Sequence, residues 1–139
     1  MKRRNLFSLA KLRADESGAA AVEFAIVSSA FITFIFGIAY AAIMLHSNAA
    51  LQWAVETTIR QAAIDPTVTQ GNLTTNLNGL LAIAHMPNAS SVNYAVTTVG
   101  TVDVATLTAS FNRSFTIPFV ATFNTTYTAT AKTPQNDDS

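Results

Sequence analysis

Gly18-Ala19-Ala20-Ala21-Val22-Glu23-Phe24 opens the stretch whose reading decides the fold. It puts one carboxylate, Glu23, at the mouth of an otherwise uncharged run that continues to Leu45. Phe24 to Leu45 is 22 residues without a charge. As a helix that run is about 33 Å long at 1.5 Å per residue, enough to cross a hydrocarbon core roughly 30 Å thick once. Its β-branched and aromatic residues do not oppose helix in lipid, where a single segment has no other way to pair its backbone. Gly37, Ser28, Ser29 and the many alanines offer surfaces for close helix packing. A carboxylate at mid-bilayer costs about 2.5–3.5 kcal/mol on insertion scales. Glu23 should therefore have a specific partner or lie near the headgroups. Gly18, five residues earlier, sits where a protease could cut.

The helical pattern continues past the apolar run. Leu51, Val55, Ile59 and Ala62 recur on one face, and Asn48, Gln52, Glu56 and Arg60 on another, with Glu56 and Arg60 ordered for an i,i+4 pair. Asp65-Pro66 ends the pattern, because the residue before proline avoids the helical region. One helix is thus expected over residues 19–64, with a transmembrane segment at 24–45 and an amphipathic second half. Asn72 is placed to cap a short second helix carrying Leu73, Leu77, Leu80, Leu81 and Ala84 on one face, closed by Met86-Pro87.

Strand patterns follow. Val92–Val99 is β-rich, and Val102–Phe111 alternates, with Ala105, Leu107, Ala109 and Phe111 sharing a side. Asn112-Arg113-Ser114 reads as a turn, and Phe115, Ile117 and Phe119 as a further short strand with Pro118 at an edge or bend. The last strand puts Phe123, Thr125, Tyr127, Ala129 and Ala131 on one face and Asn124, Thr126, Thr128, Thr130 and Lys132 on the other. The expected fold class is α+β: a long N-terminal helix, a short second helix and a small antiparallel sheet of three to four strands with one polar face. Residues 1–18 read as a basic leader, 65–132 as an extracytoplasmic α+β domain and 133–139 as a loose polar tail.

Composition supports this division. Half of the 139 residues are hydrophobic and 12% are charged. The net charge of zero is unevenly spread, +3 over residues 1–18 and −3 over the rest. Basic residues flanking a span mark its cytoplasmic side, so the domain after the span should face outward. The domain lacks the basic patch a nucleic-acid partner requires. There is no cysteine, which excludes disulfides, thiolate catalysis and cysteine metal sites.

Residues 18–27, GAAAVEFAIV, closely resemble the start of the TadE-like family of pilus assembly proteins, the pseudopilins of the Flp/Tad type IV pilus system. The basic leader, the single span and the helix-plus-strand domain ending in the Thr/Ala-rich Tyr127–Ala131 are similar to that family too. The resemblance implies a pilin-like fold and cleavage after a glycine by a prepilin peptidase, an aspartic membrane protease. It also implies a part in assembling a Tad-type (type IVc) pilus used for adhesion or secretion. Carried over by position, Gly18 would be the last leader residue, Ala19 the new N-terminus, and Glu23 the glutamate at position five that sets subunit register. Phe24 stands where the major Flp pilin usually has tyrosine, and major pilins are shorter and lack such a domain. Both differences favour a minor pilin or pseudopilin. The implied partners are the peptidase, other pilins and pseudopilins, the inner-membrane assembly platform and membrane lipid, with no nucleic acid. The implied location is the bacterial inner membrane, N-terminus cytoplasmic, with incorporation into a pilus.

Other readings stay open at this point. An unprocessed single-pass protein with a ligand- or partner-binding outer domain would share most of these features. Ala39-Tyr40-Ala41 has the small-x-small form of a signal-peptidase site, but the apolar run before it is long for a signal core. A secreted enzyme would need a catalytic constellation, and none stands out. His46 and His85 lie 39 positions apart without a carboxylate cluster. The first suits a membrane interface and the second a helix C-terminus. No cofactor is expected, and the chain reads as a substrate of an enzyme, not as one.

Overall fold

The computed structural model describes residues 16–65, 67–117 and 120–135. The expected leader lies outside the described residues up to position 15, as do Pro118, Phe119 and residues 136–139. Two helices precede a three-stranded sheet. The elements are α1 (Glu16–Ile64), α2 (Gln70–Ile83), β1 (Ser91–Val99), β2 (Val102–Ile117) and β3 (Ala121–Gln135). The chain divides into two units, residues 1–38 and 39–139.

In the first unit, α1 carries its apolar side chains uncovered. Val22, Phe24, Ile26, Val27, Phe31, Ile32, Phe34, Ile35 and Ile38 are all exposed. Nothing soluble keeps such a surface in water, because contiguous apolar patches of that size mark membrane or partner contacts. The helix Gly18–Ile64 is long and apolar enough to cross a membrane. Two of its hydroxyls bond within the helix: Ser29 Oγ donates to Ile26 O at 2.8 Å and Thr33 Oγ1 to Ser29 O at 2.9 Å. That back-bonding satisfies both hydroxyl hydrogens without water.

In the second unit, α1 becomes the cover of the sheet. Ser47, Ala50, Leu51, Ala54, Val55, Thr58, Ile59 and Ala62 are buried, a stripe at the helical period. It joins Ala105, Leu107, Ala109, Phe111, Tyr127 and Ala129 from the sheet in one core. Phe111 and Tyr127 face each other across the strands, with ring centroids 5.1 Å apart. α2 adds Leu73, Leu77 and Leu81, all fully buried. Thr58 Oγ1 is a buried hydroxyl with no hydrogen-bond partner among the described residues.

Local chemistry sets the ends of the helices. At the end of α1, Asp65 accepts from Thr67 N at 2.9 Å and Thr67 Oγ1 at 2.6 Å, an Asx turn. α2 is capped by Thr69, not Asn72. The Thr69 hydroxyl accepts from the Asn72 backbone N–H, so Asn72 supplies the donor one turn inside the helix. α2 ends in a Schellman motif. Met86 N donates to Leu81 O at 2.8 Å and His85 N to Ala82 O at 3.0 Å, with His85 in the left-handed region at φ 57°.

The sheet is an antiparallel meander in the order β1-β2-β3. Val99 pairs with Val102 across Gly100-Thr101. Gly100 has φ 68°, which a two-residue hairpin of the favoured hand requires. Hydroxyl pairs tie the polar face together, with Thr108–Thr130 at 3.0 Å and Thr116–Thr122 at 2.9 Å.

Two expectations change here. Asn112-Arg113-Ser114 is not a turn, because β2 runs unbroken from Val102 to Ile117. Asn112 accepts from Thr126 Oγ1 on the polar face at 2.7 Å, and Arg113 turns to the helix side. The sheet therefore has three strands. The polar tail is also shorter than expected, because β3 continues through Thr133 to Gln135. Gln135 is buried, and its amide donates to Ala62 O and to Tyr94 Oη, both at 3.0 Å. In an uninterrupted helix Ala62 O would accept from the residue four places on. Here that residue is Pro66, which has no N–H. The Gln135 amide takes the vacant place.

Gln135→Ala should therefore lower the unfolding free energy by about 1–3 kcal/mol, the cost of leaving buried partners unpaired. Denaturant unfolding of the detergent-solubilised chain would read this; an unchanged midpoint would contradict the assignment. The Asp65 carboxyl is held below its ordinary value of 3.8 by the two Thr67 hydrogen bonds, the hydroxyl foremost. A depressed folded pKa gives stability that is present above the unfolded value and is lost as pH falls through the folded one. Asp65→Asn should flatten the fall in stability below pH 3.8 and lower the neutral-pH midpoint slightly, towards the value the parent reaches in acid.

Candidate functional site

The cleavage and register residues predicted from sequence all lie on α1, at its N-terminal end. Gly18, Ala19, Glu23 and Phe24 are exposed there. A Cβ added at Gly18 would meet nothing within 4 Å. The fold itself thus makes no demand for glycine at this position. The Gly18–Ala19 peptide bond falls in the first turn of α1. The first four N–H groups of a helix have no intrahelical partner, and glycine weakens a helix by about 1 kcal/mol relative to alanine, so this turn opens at low cost. Ala19 and Glu23 stand four residues apart, on one face of the helix.

A second cluster lies where α1 meets the sheet. Tyr40 stacks on Phe115, with centroids 5.1 Å apart, and tilts against Phe123 at 5.6 Å. Its hydroxyl shares a 2.8 Å hydrogen bond with Thr125 Oγ1. Arg113, paired across the strands with Thr125, donates to the buried Ser47 Oγ at 3.2 Å and to Met86 Sδ at 3.5 Å. Both partners are neutral, so the guanidinium charge is held in place without being neutralised by them.

Two open clefts separate the C-terminal part of α1 from α2, on either side of a Gln61–Asn76 side-chain hydrogen bond. One, of about 520 Å³, is lined by residues that include Ile64, Asp65, Val68 and Asn72. The other, of about 310 Å³, is lined by residues that include Thr57, Thr58, Gly79 and Ile83. They offer amide and hydroxyl groups and no acid–base pair. Among the described residues no group of three or more His, Asp or Glu side chains is placed to hold a metal ion.

Sequence reasoning proposed the residues of the first cluster and did not single out the second. Tyr40 is engaged by the sheet, while Trp53 further along the same helix is exposed. A signal for Arg113 and Ser47 was present. Arg113 keeps the two-residue period of Ala105–Phe111, and Ser47 precedes Leu51 by one helical turn.

Residues 18–60 match the TadE-like protein family, which carries the resemblance seen in GAAAVEFAIV through the apolar run and into the amphipathic half of α1. No curated protein and no solved structure matches the chain.

Proposed function

Taking residues 18–60 as a TadE-like segment, we propose that the chain is a minor pilin or pseudopilin. A prepilin peptidase cuts it between Gly18 and Ala19, the apolar run anchors it in the bacterial inner membrane, and it packs through α1 against other pilins during assembly of a Tad-type pilus. One observation carries this reading. The family match covers the same helix whose large apolar side chains from Val22 to Ile35 are mostly exposed. Such a surface needs lipid in the membrane and other helices once it leaves.

Charge supports the same sequence of events. Cleavage would free an α-amine at Ala19, which is largely cationic near neutral pH. The amine and the Glu23 carboxylate would lie on one helix face, within reach of a neighbour's complementary pair. In low dielectric the pairing is favourable only where geometry is good, because both ions lose water. It then fixes register between subunits more than it adds affinity. The basic leader keeps the N-terminus cytoplasmic and places the domain of residues 39–139 on the far side.

N-terminal sequencing and intact mass of the mature protein should give Ala19 as the first residue, and replacing Gly18 by a bulky residue should leave Met1. Met1 in the unaltered chain would favour the unprocessed single-pass reading, and Ala42 a signal peptidase. Glu23→Gln should still insert in the membrane but be depleted from material co-purifying with the pilus machinery. Recovery of the variant at the level of the parent would refute the register mechanism.

A further inference from the structure

Two hydrogen bonds show which way the backbone of the sheet points. Ser110 O accepts from Ser90 N, so the Ser110 backbone faces β1. Val92 O accepts from Gln70 Nε2 of α2 at 2.8 Å, so the Val92 backbone faces away from β2. Backbone groups alternate in direction along a paired strand. Carried through the two registers, the odd-numbered residues of β3 face β2. Thr122, Asn124, Thr126, Thr128, Thr130 and Lys132 therefore turn their N–H and C=O groups outward. Among the described residues no hydrogen bond reaches those groups. The side chains of Thr122, Thr126 and Thr130 bond to side chains of β2 instead.

Natural edge strands are blunted by lysine, proline, bulges or a covering element. β1 is met by α2 through Gln70. β3 carries Lys132 and Pro134, but only at its C-terminal end; from Ala121 to Ala131 it has no charge, proline or glycine. α1 runs beside β3 in the same direction, with Tyr40 at Phe123 and Thr125 and Ala62 at Gln135. Between the two, an open cleft of about 340 Å³ is lined by Glu56, Ile59 and Arg60 of α1 and by residues 130–133 of β3. It sets two cations, Arg60 and Lys132, against the one carboxylate of Glu56. A strand laid on this edge puts its inward side chains against the flank of α1 and one end beside the excess positive charge.

We propose that β3 accepts an extended segment of another protein as a fourth strand, antiparallel to it, with an acidic residue opposite Lys132. Main-chain bonds to Thr126, Thr128 and Thr130 hold the segment; its polar side chains continue the hydroxyl face and its apolar ones turn to α1. Antiparallel pairing gives the stronger ladder. Charge complementarity selects the occupant. A second copy of the chain has β1 and β3 to offer, and neither Ser91–Val99 nor Ala121–Gln135 contains an acidic residue. The edge lies wholly within residues 39–139, so its occupancy is separable from the reading of the apolar run.

The probe is the peptide acetyl-Glu-Val-Thr-Val-Thr-Val-Thr-Val-amide, added to the full-length chain in detergent micelles. Paired antiparallel from Lys132, its glutamate and threonines meet the outward residues of β3. Amide hydrogen exchange read by NMR should find Thr126, Thr128, Thr130 and Lys132 fast in the free chain and slow with peptide. Tyr127, Ala129 and Ala131 should be slow in both. N-methylation of the middle threonine removes one bond to the edge and should weaken binding about tenfold, the upper worth of a single hydrogen bond. N-methylation of the valine before it, whose N–H points away from β3, should change little. Lys132→Gln should weaken binding by up to about fivefold, the range of an exposed ion pair, and a peptide with glutamine for glutamate should then lose nothing more. Thr128→Pro removes one outward N–H and leaves the β2 ladder intact, so binding should fall while the inward amides stay protected. Equal binding of the two N-methyl peptides, or protection that does not alternate along β3, overturns the strand addition. Equal affinity of the Lys132→Gln and parent chains overturns the acidic contact. Slow exchange of the outward amides in the free chain, with a doubled protein mass per micelle, overturns the partner segment and assigns the edge to a second copy.

Discussion

The stripe of α1 from Ser47 to Ala62 is the surface on which the rest of the domain is built. A three-stranded antiparallel meander has one face that water can cover and one that it cannot, and needs packing against another element for independent stability. Without cysteine no covalent staple substitutes for that packing. The two faces match in grain. Ala50 and Leu51, Ala54 and Val55, and Thr58 and Ile59 put small beside large residues on the helix; Ala105, Leu107, Ala109 and Phe111 do the same along β2. The ends are fixed by polar contacts. Gln135 takes up the carbonyl that Pro66 cannot serve, and Arg113 reaches Ser47 near the other end of the stripe. The register of sheet on helix is set by hydrogen bonds at both ends and by volume between them.

That same helix works in two solvents. Its residues from 39 on are paired with a sheet; those from 18 to 38 carry mostly exposed apolar side chains. The functional reading follows from this division. A domain that only bound a soluble ligand would need the anchor merely to stay in place, and almost any apolar sequence would serve. Here the anchor carries a glycine that the fold does not require, followed at a fixed distance by a carboxylate. It also carries a family match that runs on into the amphipathic half and stops near its end. The specific information in the chain is concentrated on α1, where lateral assembly would use it.

Elements whose apolar residues repeat at one period were legible in the sequence. Leu51, Val55, Ile59 and Ala62 gave the helix stripe. Leu73, Leu77 and Leu81 gave the second helix, and Ala105 to Phe111 gave the central strand. What was misread depended on partners distant in sequence. Asn112-Arg113-Ser114 has the composition of a turn, and only Ser47, 66 positions away, and Thr126 make it an ordinary stretch of strand. Gln135 looked like part of a polar tail because its acceptors, Ala62 O and Tyr94 Oη, are 73 and 41 positions away. Thr69 displaced Asn72 as the cap because both residue types suit the position and only the backbone decides between them. The N-terminal motif could be read at all because it is local, with Gly18, Ala19 and Glu23 falling within two turns of one helix; its role remains the proposal made above.

The depth of Glu23 bears on the peptidase step proposed above. Were Tyr40 to mark the membrane boundary, as its ring favours, the residues before it would cross the hydrocarbon. A span takes roughly 20 residues, and counting back from Tyr40 reaches about Ala21. Glu23 would then lie at the inner edge of the hydrocarbon. Its side chain is too short to reach far towards water, unlike the lysines and arginines that snorkel. The cation nearest to it in a processed chain would be the α-amine of Ala19, one turn away on the same face. In an unprocessed chain that nitrogen is a neutral amide, and the nearest basic residue is Arg13, beyond the acidic Asp15-Glu16 pair. Cleavage would then do more than remove a leader. It would supply the one positive charge that makes a carboxylate at this depth tolerable, and so would tie the peptidase step to stable residence of the helix end in lipid.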